Sequence, residues 1–328
     1  MSPLAEEIRH LVDDMVRREG VPDTADEQRA LWTRLRELGL SRIGIDEEHG
    51  GSGGTFDDLM VVVETLAAHG TSQPIVEAAT ADWTLSHTGP LDDPFTTLVL
   101  LDEPLDTDGA VELRGVPWAR DAERLVICAP GDTTLVVDLD AATVRPGENL
   151  AGEPRDTVRL TATSLAALDP APEYAVIRAR LALLWSAAVT GAAHGAYRLT
   201  RTYVAERHQF GAPLLKIPAV ATNLALMRVE LVQADAALAQ ARGMDPAAAA
   251  TARIVTASAA TKIAQIAHQL HGAIGITMEY PLHRRTRRLW AWRDAVATER
   301  SWAEDLGRRA AAAGEDGIWT RLTATVPE

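Results

Sequence analysis

Residues 201–214 read RTYVAERHQFGAPL, and residues 269–281 read QLHGAIGITMEYP. Each follows a long helical pattern and brings in glycine and then proline, the two residues that most often stop a helix. By residue type alone, Arg207 beside Glu206 reads as a surface ion pair, and Gly272 with Gly275 as a helix C-cap and turn. His268 and His271 lie three apart on one helical face, with His283 following. Neither several thiolates nor a clustered pair of acids stands near them, so no metal centre is expected there.

Outward from these stretches the helical period dominates. Ile177, Leu181, Leu184, Ala188, Gly191, Gly195 and Leu199 form one stripe, and Val220, Leu224, Met227 and Leu231 form a second. Alanines 247–250 open a third helix with high intrinsic propensity, and Leu282, Leu289, Trp292 and Val296 mark a fourth after Pro281. Four helices on short connections predict an antiparallel bundle over 166–328, ending near Arg309 with a loose tail from Thr320. Upstream, short β-like runs at 97–101, 111–116, 125–128, 134–139 and 158–161 are separated by Gly, Pro and Asp, predicting a small β-domain over 94–165. The first 93 residues are helical again, with Leu31, Leu35 and Leu38, then Leu59, Val62, Val63 and Leu66, at helical spacing. The expected fold class is therefore α+β: an N-terminal helical domain (1–93), a small middle β-domain and a C-terminal four-helix bundle. The glycine-rich loop at 46–54 has neither the lysine of a phosphate-binding loop nor a preceding strand, and reads as a flexible turn.

Composition narrows the function classes. A net charge of −14 argues against a general nucleic-acid binder, which needs a basic surface to displace counterions. The arginines at 284, 285, 287, 288 and 293 read instead as a solvated or intersubunit ion-paired helix, with a phosphate contact as the sharper minor reading. A single cysteine, Cys128, excludes an internal disulfide framework and fits a reducing, cytoplasmic home. The stretch 181–197 lacks charged residues, but Ser186, Thr190, Gly191, His194 and Gly195 interrupt it, so it reads as a buried bundle helix and no membrane span is expected.

Taken jointly, the two opening stretches resemble the signature segments of the acyl-CoA dehydrogenase family, R-x-Q-F-G-x-P-[IL] and Q-x-x-G-[GA]-x-G-[YI]-T-x-[ED]-[YF]-P. Residues 224–227 (LALM) and 48–53 (EHGGSG) agree with further family motifs in order and spacing. The resemblance implies an FAD enzyme that oxidises an acyl thioester, carried on CoA or a carrier protein, to its 2,3-enoyl form. It implies that Arg207 meets the flavin pyrophosphate across a subunit interface, a task suited to a planar, bidentate cation. Phe210 would then pack by the adenine half and Gln209 would hold the loop. Gln269, Gly272 and Gly275 would approach the diphosphate and ribityl side, and Thr277 would contact the flavin.

The departures from the family pattern are equally specific. The usual glutamate base falls about fifteen residues after the motif proline, where this chain has Val296. The alternative base falls about twenty-six residues before the flavin arginine, where it has Leu181. Asp294, with Glu299 and Glu279, is among the acids left nearby, and Asp294 is the first candidate base. In the β-domain, Leu101-Asp102-Glu103-Pro104 echoes the family's flavin-covering segment, but the chain then shortcuts to the next strand. The expectation is a subunit of a heteromeric, or else homomeric, acyl-CoA dehydrogenase that completes a homologous partner's flavin site. A flavin-free enzyme doing redox-neutral elimination or cyclisation, and a non-catalytic structural partner, stand as alternatives.

Overall fold

The computed structural model describes residues 3–106, 109–161 and 165–323. Four helices come first: α1 (Pro3–Glu19), α2 (Ala25–Glu37), α3 (Phe56–His69) and α4 (Ile75–Leu85). Their ends are written in local sequence. Thr24 with Glu27, and Thr55 with Asp58, form reciprocal capping boxes at the starts of α2 and α3, and Gly70 closes α3 in the left-handed conformation. The glycine-rich loop between α2 and α3 is a closed turn, stitched by Gly44 N–H to Gly53 O (2.8 Å) and Gly53 N–H to Ile45 O (2.9 Å).

The middle region holds two small sheets. Strands β1 (Thr96–Leu100), β3 (Arg124–Ala129), β4 (Thr133–Asp138) and β7 (Ala166–Ala167) run in the order β1-β3-β4-β7, with β1 and β3 parallel. Strands β2 (Val111–Pro117), β6 (Arg155–Leu160) and β5 (Thr143–Arg145) form the second sheet, in the order β2-β6-β5. Because side chains alternate across a strand, β3 serves two cores at once. Leu125 and Ile127 join the β-domain's own cluster, while Val126 and Cys128 face the helical core. Burial there pushes the Cys128 thiol up to about 12, so it stays neutral and unreactive. Residues 107 and 108, in the β1–β2 connection that the sequence reading expects to be shortened, lie outside the described residues.

The C-terminal bundle is built on α5 (Tyr174–Glu206), α6 (Pro218–Gln240), α7 (Pro246–His271) and α8 (Leu282–Arg293), as the four apolar stripes predict. The 33-residue α5 is long and apolar enough to cross a membrane by length and composition, and most of its apolar window is buried among its neighbours. Two departures from the sequence reading concern the chain's end. A fifth helix, α9 (Glu299–Thr323), takes in the first residues of the expected tail, 320–323, and is broken by a left-handed Gly314; residues 324–328 of that tail lie outside the described residues. Trp302 anchors it, 2% exposed, with the Arg178 guanidinium 3.8 Å above its ring. The fourth helix also stops at Arg293, so Val296 is not a helical core residue but a half-buried one at φ 71°, a strained conformation for a β-branched side chain.

The contact between α3 and α5 depends on two glycines of the α5 stripe. A Cβ on Gly191 would sit 2.1 Å from Glu64 O, and one on Gly195 would sit 2.2 Å from Ala68 O. Gly191→Ala therefore forces the helices apart and is expected to lower unfolding stability by about 2 kcal/mol, the usual scale of core overpacking. Gly243→Ala, where a Cβ meets nothing within 4 Å, is the matched control and should move the urea midpoint little. Equal midpoints for the two variants would rule out the close-packing role.

Candidate functional site

The two signature segments, separated by more than fifty residues in sequence, meet at one end of the bundle. The Tyr203 ring, one turn before α5 ends, stacks on His271 at the end of α7 (centroids 4.5 Å apart, 20° between planes). Tyr280 packs against both, 5.7 Å from Tyr203 and 5.0 Å from His271. His271 donates from Nδ1 to Ala267 O (2.8 Å), and burial holds its imidazole below the ordinary value, so it is a neutral spacer between the helices.

Beyond α5 the chain makes a two-residue hairpin, β8 (His208–Gln209) paired with β9 (Ala212–Pro213). Both turn residues are left-handed, Phe210 at φ 54° and Gly211 at φ 80°, as a hairpin turn of matching twist requires. Glycine fits that position, whereas phenylalanine is strained there and is also 92% exposed. Arg207 caps α5, its N–H on Tyr203 O (2.8 Å). Its guanidinium forms no ion pair with Glu206 or with any other carboxylate among the described residues. The surface-pair reading of Arg207 is thereby replaced: the cation is presented outward beside an exposed aromatic ring and the exposed Gln209.

At the end of α7, a groove of about 800 Å³ runs between Gln269, Gly272, Ile276, Met278, Arg287 and Trp290. Ile276 and Met278 are 77% and 73% exposed. Gly272 adopts φ 63°, ψ −141° with open space where a side chain would stand, so bare backbone faces the groove. Gly275 differs: it is buried, and a Cβ there would lie 2.8 Å from the His271 Cβ, so its smallness serves packing. Thr277 is exposed and donates its hydroxyl to Ile274 O (2.9 Å). His268 bonds Thr286 (2.9 Å) and stacks on Trp290, and His283 bonds Tyr280 O (2.8 Å), so each histidine of this region has a structural partner.

The junction between the bundle and the β-domain is the opposite case. The cavity there is about 20 Å³, walled by Trp118, Trp185 and Trp292, enough for roughly one water molecule. Trp185 and Trp292 lie 5.7 Å apart, and Trp292 donates its indole N–H to Glu153 (2.7 Å). Glu153 also accepts from Ser72 and from Asn149 (2.7 Å), which ties α8, the α3–α4 connection and the β5–β6 loop to one carboxylate. Arg155 stands 3.6 Å from Glu153 and 3.4 Å from Glu77, whose burial pushes its carboxyl up to about 7. Neither a flavin ring nor an acyl chain fits this space. At the two positions where the resemblance expects a base, Leu181 is buried and Val296 half-buried, and neither carries a proton.

Asp294 lies just past α8, its carboxylate paired with Arg293 (2.7 Å), and it supports the charge of the fully buried Arg253. Arg253 donates to the carbonyls of Trp292 (2.9 Å), Arg293 (2.8 Å) and Ala295 (3.1 Å), closing the end of α8, a role no local pattern marks. The arginine run is likewise spent inside the chain rather than solvated. Arg285 donates to Ala68 O (3.2 Å) and His69 O (3.0 Å) at the end of α3, Arg287 to Leu150 O (2.7 Å), and Arg284 pairs with Asp23.

Comparison with known proteins agrees with this geometry. The family descriptions "Acyl-CoA dehydrogenase, N-terminal domain" and "Acyl-CoA dehydrogenase, C-terminal domain" match residues 2–90 and 176–293. The chain belongs to the acyl-CoA dehydrogenase family. It is 29% identical over 268 residues to the acyl-CoA dehydrogenase IpdE2 of Mycobacterium tuberculosis, covering 77% of this chain and 78% of that one. The ChsE4-ChsE5 complex from Mycobacterium tuberculosis contains a chain of the same fold (TM-score 0.82, 19% identity, 95% of this chain and 98% of that one). So does the Tcur3481-Tcur3483 steroid ACAD G363A variant (TM-score 0.82, 22% identity, 94% and 97%). Within this acyl-CoA dehydrogenase fold, the end of α5 and α7 is open and apolar, while the junction with the β-domain is closed.

Proposed function

We propose that this chain is one subunit of a heteromeric acyl-CoA dehydrogenase, acting on an acyl thioester, and that it completes an FAD site belonging mainly to a homologous partner. The observation that carries this reading is an exposed Arg207, without an ion pair among the described residues, next to a 92%-exposed Phe210 in the hairpin after α5, together with an open groove at the end of α7, in a chain whose own junction cavity is about 20 Å³. Residues that fit half of a cofactor are outside, and space for the other half is lacking inside. The assembled structures ChsE4-ChsE5 and Tcur3481-Tcur3483 support the same reading, because each pairs two differently named components.

In such an assembly FAD supplies the hydride acceptor for α,β-oxidation. This chain's residues bind and orient. Arg207 neutralises a phosphate, Phe210 covers a flat ring, and Gln269 with the bare backbone at Gly272 lets a polar chain lie close to α7. Gln209, Gly275 and Thr277 shape the hairpin and the turn that carry these groups. The α-proton then goes to a partner carboxylate, since Val296 and Leu181 cannot take it. Asp294, held by Arg293, acts as an ion-pair partner. Asp294→Asn is accordingly expected to leave turnover of the assembled enzyme within about twofold; complete loss would make Asp294 the base.

Co-expression with an acyl-CoA dehydrogenase homologue, followed by a visible spectrum and a flavin count per chain, tests the reading. A yellow complex with fewer flavins than chains, and a colourless protein when this chain is purified alone, is the expected pair of results. One flavin per chain in the protein purified alone would overturn it.

A further inference from the structure

The loop between α2 and α3 holds three side chains that the flavin reading does not use. A carboxylate oxygen of Asp46, one of Glu48 and a ring nitrogen of His49 all lie within 4.8 Å of one another, on a single tight turn. Among the described residues none of these three side chains has a hydrogen-bond or ion-pair partner. Two carboxylates this close repel each other even in water, so the backbone must hold them there. It does: Asp46 O accepts from His49 N–H and Gly51 N–H (both 3.0 Å), and His49 O accepts from Leu91 N–H (2.9 Å), which ties the turn to the α4–β1 connection. Arg42, the last basic residue before the loop, is spent on Asp82 (3.0 Å) and on Asp92 O. The chain therefore builds a rigid, negatively charged group of donors and leaves it uncompensated.

A second observation comes from another element. Asp46 and His49 face an open pocket of about 350 Å³, and Trp83, Ser86 and His87 at the end of α4 wall its other side. His87 is bonded through Nδ1 to Trp83 O (2.9 Å), and its ring stands edge-on to Trp83 with centroids 4.7 Å apart. A carbonyl only accepts, so Nδ1 carries the proton and the neutral ring keeps its lone pair on Nε2. A backbone carbonyl that fixes the tautomer in this way is the usual support of a histidine at a metal site. The pocket thus joins a donor cluster to a second imidazole whose free nitrogen is already set to accept.

We propose that Asp46, Glu48 and His49 form a binding site for one divalent transition-metal ion of the zinc type, with a water in the fourth position that donates to His87 Nε2 across the pocket. The imidazole selects the class of ion, because calcium and magnesium take oxygen donors whereas zinc takes nitrogen and carboxylate oxygen together. A tetrahedral zinc ion would draw its donor atoms to roughly 3.4 Å of one another. Asp46 and Glu48 are exposed and His49 half-buried, so rotation of the side chains achieves this without moving the loop. Three protein ligands and a water make an open site, one that takes up its ion after folding instead of needing it to fold. None of the residues assigned to the flavin interface takes part, so the site stands or falls independently of that reading.

The test uses the full chain without an affinity tag and Zn²⁺ as the probe, followed by titration calorimetry. One ion per chain is expected, with a dissociation constant of about 10 μM or tighter. His49→Ala and Glu48→Gln should each weaken binding about tenfold or more, whereas His10→Ala, an exposed histidine of α1, should leave it unchanged. Without metal, the variants should keep the urea midpoint of the unaltered protein, which shows that they fold. A hundredfold excess of Mg²⁺ should not displace the zinc. Binding that is absent below about 1 mM Zn²⁺, or that survives His49→Ala undiminished, overturns the proposal, the second result by leaving an adventitious ion elsewhere on the surface. Displacement by Mg²⁺ also overturns it, because the turn would then be an acidic surface that holds any dication.

Discussion

Arg207→Ala is expected to weaken flavin retention by the assembled complex about a hundredfold while leaving folding unchanged. A charge-assisted, bidentate bond to phosphate contributes roughly 2–3 kcal/mol, and each 1.4 kcal/mol is a factor of ten. The guanidinium makes no ion pair among the described residues, so its removal breaks nothing within the chain. Its backbone bonds, to Tyr203 O and from Leu214 N–H (both 2.8 Å), survive the substitution, which keeps the hairpin in place. Arg207→Lys should recover only part of the loss, because an ammonium is a point charge without the planar fork. The measurement is flavin per complex after dialysis, with thermal melting as the control. Undiminished flavin in Arg207→Ala would mean that the hairpin does not meet the cofactor, and the partner interface would have to be sought elsewhere.

The elements that were legible in the sequence are those whose signal is periodic or local. The stripe from Ile177 to Leu199 predicts α5, and 224, 227 and 231 are indeed the buried face of α6. The short β runs land within a residue or two of β1 to β4 because turn residues bound them. The two signature segments are legible because their chemistry is crowded into about a dozen residues each. What stayed hidden depends on contacts between distant residues. Trp185 and Trp292 lie over a hundred positions apart, and only their meeting at 5.7 Å closes the junction cavity. Arg253 carries no local mark of its role, which shows only when three carbonyls at and just past the end of α8 are found around it. The arginine run of α8 reads as a surface pattern, yet its partners on α3 and the β5–β6 loop are more than a hundred residues away. The last helix is not legible because alanine, glycine and charge at 307–317 leave no apolar stripe for the period to show.

Glu77 should make the stability of this protein fall as pH rises from about 4.5 to about 7. The carboxyl is fully buried on α4, its burial raises it from 4.5 to about 7, and Arg155 at 3.4 Å only partly offsets this. Between those two values the folded chain holds a proton that the unfolded chain has released. The unfolded state therefore binds fewer protons, and unfolding free energy declines with pH across that window and is flat on either side. A shift of this size corresponds to about 3 kcal/mol between pH 4.5 and pH 7. Glu77→Gln keeps the shape of the neutral acid and removes the titration. It is expected to match the unaltered protein at pH 4.5 and to exceed it by about 2–3 kcal/mol at pH 8, measured by urea unfolding. Asp82 and Glu64, also raised by burial, bend both curves in the same direction, so the difference between the two proteins isolates Glu77. Parallel curves would show that Glu77 titrates in the folded protein as it does in the unfolded one. Arg155 would then fully offset the burial of the Glu77 carboxylate.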